Sequence, residues 1–339
     1  MLNWFVNPAR FLPFGVWLHD LDPVIFWRLR WYGLSYVAAF LVGWFVVRLL
    51  ARADWTRLSS DRAGDLILAL AVGVVVGARL GYVILYQPSL LWTWQDALPF
   101  WGLLAVNHGG MASHGGMVGL IVAAGWFARR HRIDLFNLLD VAAFIGPLGL
   151  MLGRIANFIN GELIGRTASA NLPWAVKFPQ EIYDWPTERI LRLQENLPAP
   201  QQLGLARSHW TLGEIVGAVQ RGEQRVIEVL EPMLAPRHPS QLYASVLEGL
   251  LVFIVLLLAW RRPRKPGVIG ALFCVSYACG RIIVEFFRRP DPHIADAEFA
   301  WLSITRGQWL SGLLLLLGIW GLWYARRRPA AAIGGWGCN

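Results

Sequence analysis

Between Arg154 and Glu162, a guanidinium, two amides and a carboxylate crowd the end of a stretch that is otherwise almost wholly apolar. Arg154, Asn157 and Gly161 are spaced i, i+3 and i+7, so they share one face of a helix end. Asn160 and Glu162 fall beside that face. Ionisable groups inside apolar segments are costly and mark either a site or a pairing, and helix packing alone requires nothing this polar. A guanidinium fork among amides suits an anion. A second dense patch is His108-Gly109-Gly110-Met111-Ala112-Ser113-His114-Gly115-Gly116. Paired glycines allow close backbone approach, and such turns can form anion-binding concavities.

Other buried polar residues have plainer explanations open to them. Arg281 and Glu285 lie four apart on one helical face and could simply neutralise each other. Arg79 is expected to snorkel to the outer interface. Asp140 is expected to cap or pair near the inner interface, and Glu248 to partner an arginine. The two histidines lack a carboxylate at ligand spacing, so no metal is expected. An imidazole of ordinary pKa about 6.5, set among arginines, fits a general base near neutral pH.

These residues must be positioned by membrane helices. Apolar residues make up 56% of the chain and charged residues 16%, well below the roughly 25% charged of soluble domains. The apolar residues come as solid blocks rather than with an amphipathic period, long enough to cross about 30 Å of hydrocarbon. The pattern predicts an all-α polytopic membrane protein with about seven transmembrane helices. They fall near Trp31–Val47, Leu66–Tyr86, Ser113–Ala128, Leu135–Ile159, Gln241–Trp260, Val268–Phe287 and Trp309–Tyr324. Leu90–Val106 is apolar but reads as interfacial because of Trp92, Trp94, Asp96, Pro99 and Trp101.

The net charge of +9 sits at the ends of the apolar blocks, which is a topology signal and not a nucleic-acid stripe. Arg and Lys cluster after the first, third, fifth and seventh spans, so the N-terminus is expected outside and the C-terminus in the cytoplasm. With that topology Tyr32, Arg79, His114, Arg154, Arg281 and Glu285 all fall toward the outer face. Residues 1–30 then form an extracytoplasmic arm, 31–160 the first four spans with the central site, and 161–239 a head on the outer side. Residues 240–328 hold the last three spans and 329–339 a cytoplasmic tail. Within the head, Thr211–Leu230 is expected to be helical. Met1–Val24 lacks the unbroken apolar core of a cleaved signal peptide. Cys274, Cys279 and Cys338 have neither metal nor redox spacing. A transporter would spread its polar groups through the membrane depth and pair two similar halves, and neither pattern is present. A scaffold would not need a base among arginines.

Gly153-Arg154-Ile155-Ala156-Asn157-Phe158-Ile159-Asn160-Gly161-Glu162-Leu163-Ile164-Gly165-Arg166 resembles the signature of the bacterial prolipoprotein diacylglyceryl transferases. The likeness continues in order along nearly the whole chain. It includes Trp31-Tyr32-Gly33-Leu34, Gly77-Ala78-Arg79-Leu80-Gly81-Tyr82, His114-Gly115-Gly116, Arg237-His238-Pro239-Ser240-Gln241-Leu242-Tyr243 and Arg281-Ile282-Ile283-Val284-Glu285-Phe286-Phe287-Arg288. Three features depart from the family pattern. His108 and Ala244 stand where acids are common, and the segment between Trp174 and Arg237 is long.

The resemblance implies transfer of the diacylglyceryl group of phosphatidylglycerol to the lipobox cysteine of a prolipoprotein signal peptide, with glycerol phosphate leaving. It places the enzyme in the bacterial inner membrane with a periplasmic head. His114 would take the thiol proton, or orient the lipid while another group or water takes it, and Arg154 and Arg281 would hold the phosphate. Tyr32, Asn157, Asn160, Glu162 and Glu285 would orient the head group or those arginines, and Gly165 would permit close approach in its turn. No cofactor, metal or nucleic acid is implied; the partners are the lipid, the signal peptide and the bilayer.

Overall fold

The computed structural model describes residues 16–26, 29–94, 99–106, 109–203, 209–289 and 305–335. His108 and Asp96 therefore lie outside the described residues. The apolar blocks form helices α1 (Trp31–Arg52), α2 (Ala63–Leu85), α3 (Ser113–His131) and α4 (Leu135–Asn160). Three short helices follow, α5 (Thr187–Asn196), α6 (Leu212–Gln220) and α7 (Gln224–Leu230). The last membrane segments are α8 (Ser240–Ala244), continued through a π turn at Ser245–Leu250 into α9 (Leu251–Trp260), then α10 (Val268–Glu285) and α11 (Arg306–Arg327). The chain is thus an all-α polytopic membrane protein.

Helices occupy all seven expected places, with ends a few residues from those read in the sequence. Six are long and apolar enough to cross a membrane. The seventh, α3, is diluted by His114, Gly115, Gly116, Arg129 and Arg130. Its compensation is close packing on α2. A Cβ at Gly77, Gly115 or Gly119 would run into backbone of the facing helix, so the two helices meet main chain to main chain, as small-residue faces in membranes do. Between α2 and α3, Pro88–Leu91 and Gly102–Leu104 are short 3₁₀ turns. Trp92 and Trp94 are largely exposed, and none of the described residues between 90 and 106 lies in an α-helix.

The chain divides into two compact units. One comprises residues 1–37, 150–251 and 277–313, the other 38–149, 252–276 and 314–339. In the second unit, Asp140 accepts hydrogen bonds at 2.7 Å from the backbone N–H groups of Gly267 and Gly270. A carboxylate on α4 thereby caps the start of α10, satisfying donors that the helix leaves unpaired.

In the first unit, β1 (Trp17–Leu18) pairs in parallel with β4 (Val176–Lys177), and β2 (Val24–Phe26) with β3 (Leu29–Arg30) in antiparallel fashion. The segment after α4 carries its own core, including Ile182, Leu193, Ile215, Val219, Val226 and Leu230. The stretch expected to be helical, Thr211–Leu230, forms two helices. Thr211 and Glu214 form a reciprocal capping box at the start of α6, and Gly222, at φ +79°, turns the chain before α7. Arg237 and Glu181 pair at 2.7 Å within this region. Burial alone would raise the Glu181 pKa, but the Arg237 hydrogen bond and charge outweigh it and hold the carboxyl below its ordinary range.

His19 is fully buried between Phe158 and Phe178 and lies 2.7 Å from the Phe158 carbonyl through Nε2. Burial lowers its pKa from 6.5 to about 4. Below pH 6.5 the unfolded chain takes up a proton that the folded one refuses until about pH 4, so stability falls across that window as pH drops. The thermal midpoint of the detergent-solubilised protein is expected to decline between those values. His19→Gln is expected to remove that decline, and an unchanged pH dependence in the variant would assign it elsewhere.

Candidate active site

Glu248 is the centre of the polar cluster in the first unit. It lies in the π turn, a wide turn that recurs at functional sites, and it is fully buried. Two glycines bring this turn against its neighbours. A Cβ at Gly249 would sit 2.7 Å from the Cβ of Met151 on α4, and one at Gly280 on α10 would sit 2.6 Å from the Leu247 carbonyl. Squeezed between α4 and α10, Glu248 meets an arginine from each. Its Oε2 accepts from Arg154 Nη2 at 2.9 Å, and its Oε1 lies 3.7 Å from Arg281 Nη1.

Arg281 also contacts Glu285, one helical turn on, with Nη1 2.7 Å from Oε2. Thr305 donates to the other oxygen of Glu285 at 3.0 Å. Although Arg281 Nη1 sits close to both carboxylates, it hydrogen-bonds to neither. It is held as an ion pair. Two guanidiniums face two carboxylates, so the cluster is neutral, and Arg288 adds one positive charge.

These residues open onto a small cleft lined by Arg154, Gln241, Glu248, Arg281 and Arg288, with Leu163 and Val284 as apolar wall. Ala244, where the family often has an acid, is part of the same wall. The cleft keeps guanidinium donors fixed by buried partners, and such preorganised donors stabilise developing negative charge without rearranging.

The remaining expected residues fall differently. Asn157 is buried, and Asn160 approaches Glu162 at 3.4 Å. Tyr32 is partly exposed and accepts from the Tyr36 hydroxyl at 3.0 Å. Gly165 does allow close approach, but to main chain. A Cβ there would run into the carbonyls of His238 and Phe287.

Arg79 and His114 belong to the second unit. Arg79 does not snorkel. It is 6% exposed and donates to the carbonyls of Gly102, Leu103, Gly109 and Gly110 at 2.6 to 2.9 Å. Gly109 and Gly110 both adopt positive φ, +83° and +76°, which L side chains rarely allow. The glycine turn therefore presents carbonyls to a cation, the reverse of the expected anion-binding concavity. His114 is exposed in the first turn of α3.

Sequence reasoning passed over Glu248 as a site residue and left Gln241 unweighed. The available signal for Glu248 was its charge inside an apolar block, which did not reveal that two arginines share it.

Six helices long and apolar enough to cross a membrane, and a cluster of arginines and buried glutamates lining a cleft, define a polytopic membrane protein with a charged internal site. The family model described as prolipoprotein diacylglyceryl transferase matches residues 23–324. A phosphatidylglycerol–prolipoprotein diacylglyceryl transferase of Bdellovibrio bacteriovorus is 41% identical over 94% of this chain and 97% of its own. Proteins of the same name from Azospirillum brasilense and Chromohalobacter salexigens are 35% and 37% identical, over 92% and 91% of this chain and 94% of each relative. The chain belongs to the prolipoprotein diacylglyceryl transferase family, and it is a transferase of the membrane.

Proposed function

We propose that this protein moves the diacylglyceryl group of phosphatidylglycerol onto the lipobox cysteine of a prolipoprotein signal peptide, in the bacterial inner membrane. In that reaction the cysteine sulfur forms a bond to the glyceryl carbon while the C–O bond to phosphate breaks. Glycerol phosphate leaves with the bonding electrons, and the thiol proton passes to a base. The observation that carries the reading is the Glu248-centred cluster, in which two guanidiniums are held by buried carboxylates at the wall of one cleft. Such forks match the oxygens of a phosphate diester and of the monoester that departs.

Arg154 and Arg281 bind and stabilise the phosphate. Glu285 and Glu248 hold the arginines. Tyr32, Asn157, Asn160 and Glu162 orient the head group or its clamp. A free thiol titrates near 8.5, so attack near neutral pH needs a base, and His114 has that role on chemistry and on the family resemblance. The Arg-rich connections support an N-terminus and a head region on the periplasmic side and a cytoplasmic C-terminus.

The test is reconstitution with phosphatidylglycerol and a lipobox peptide. A mass gain of one diacylglyceryl group on the cysteine, with release of glycerol phosphate, is expected. An unmodified peptide contradicts the reading. In the same assay His114→Asn is expected to slow turnover by about 100-fold or more, the usual contribution of a general base. Near-normal turnover would remove His114 from that role.

A further inference from the structure

Three carboxamides gather on the turn that follows α4, and four of their polar atoms find no hydrogen-bond partner among the described residues. Gln241 donates through Nε2 to the Glu162 carbonyl at 2.5 Å, which fixes its amide and leaves Oε1 unpaired. Asn160 turns Nδ2 toward Glu162 Oε1 and leaves Oδ1 unpaired. Gln180 lies across Gly161, where a Cβ would overlap its amide, and neither its Nε2 nor its Oε1 is paired. All four atoms are shielded from solvent. Shielded polar atoms without partners destabilise a fold and call for an explanation. Gln241, 2% exposed, also lines the cleft beside Arg154.

The chemistry of the unpaired atoms selects the ligand. Three are acceptor oxygens and one is a donor. A phosphate offers acceptors only, so it cannot satisfy them. The partner must both give and take hydrogen bonds, as the N–H and C=O of every residue in an extended polypeptide do. We propose that Gln180 and Gln241 form a docking site for the main chain of the peptide substrate, beside the phosphate clamp. This rests on the proposed transferase reaction and adds which part of the acceptor is gripped. Gln180 is only partly buried as a residue, so modest side-chain rotation opens its amide to an arriving strand.

The experiment uses the full chain in phosphatidylglycerol vesicles, with a cysteine peptide and a series in which single main-chain amides are N-methylated. Gln180→Met is expected to raise the peptide KM about fivefold to tenfold, the effect of one or two lost hydrogen bonds, with the lipid KM unchanged. One N-methyl position is expected to weaken the wild type by a similar factor and the variant hardly at all. A rise in lipid KM alone would assign the amides to a head-group hydroxyl and overturn the proposal. So would a wild type indifferent to every N-methyl substitution. Should Gln180→Met not fold, Gln180→Ala is read in the same way, and full N-methyl sensitivity in that variant counts against the site. A wild type that modifies no peptide would instead overturn the transferase reading.

Discussion

Replacing Arg154 by lysine is expected to lower turnover by about 100-fold or more while the protein still folds. The charge survives, but the function of this residue lies in its shape. One arm of the fork is committed to Glu248 at 2.9 Å, and the planar group must still offer donors to the cleft. A lysine ammonium is a point charge that cannot engage a buried carboxylate and a phosphate with one fixed geometry. Loss of a single preorganised donor to developing negative charge costs about 10²–10³ in rate. The measurement is diacylglyceryl transfer in vesicles alongside thermal unfolding of the same preparation. Turnover close to wild type would show that Arg154 contributes only its charge.

Glu248→Gln is expected to act on stability and activity together. Glu248 is fully buried and lies against two guanidiniums. Neutralising it leaves Arg154 without its carboxylate partner and Arg281 with Glu285 alone. Removing one member of a buried ion pair typically costs about 3–5 kcal/mol, because the remaining charge stays desolvated. The pair Arg192–Glu188 is the internal control. Its side chains are 70% and 77% exposed, and exposed pairs contribute about 1 kcal/mol or less. Unfolding of the Glu248 and Glu188 variants should therefore differ widely, with a steep loss of turnover only for Glu248. Equal effects would mean that the cluster does not hold the arginines in place.

How far the sequence reveals this protein depends on where each interaction partner comes from. Membrane helices are visible because exclusion of charge over a bilayer thickness is a property of the block itself. So α4 and α9 end where Asn160 and Trp260 stand, close to the ends read from composition. Arg154, Arg281 and Glu285 stand out for the same reason, as charges in apolar surroundings. Arg79 was misjudged because its four acceptors are main-chain carbonyls, which every residue owns and no composition displays. Glu248 was undervalued because its partners lie on two other helices, and the π turn that aims it depends on glycine contacts at Gly249 and Gly280. The amides of Gln180 and Gln241 meet on the Asn160–Leu163 turn only after the chain has folded through α5 to α7.

The central claim is that Arg154 and Arg281, locked by Glu248 and Glu285, grip the phosphate of the lipid. An experimental structure of the protein with phosphatidylglycerol bound tests it most directly. Phosphate oxygens about 3 Å from both guanidiniums, with the ester carbon facing the open cleft, is the predicted result. A head group seated elsewhere, with both arginines bonded only to their glutamates, would contradict it.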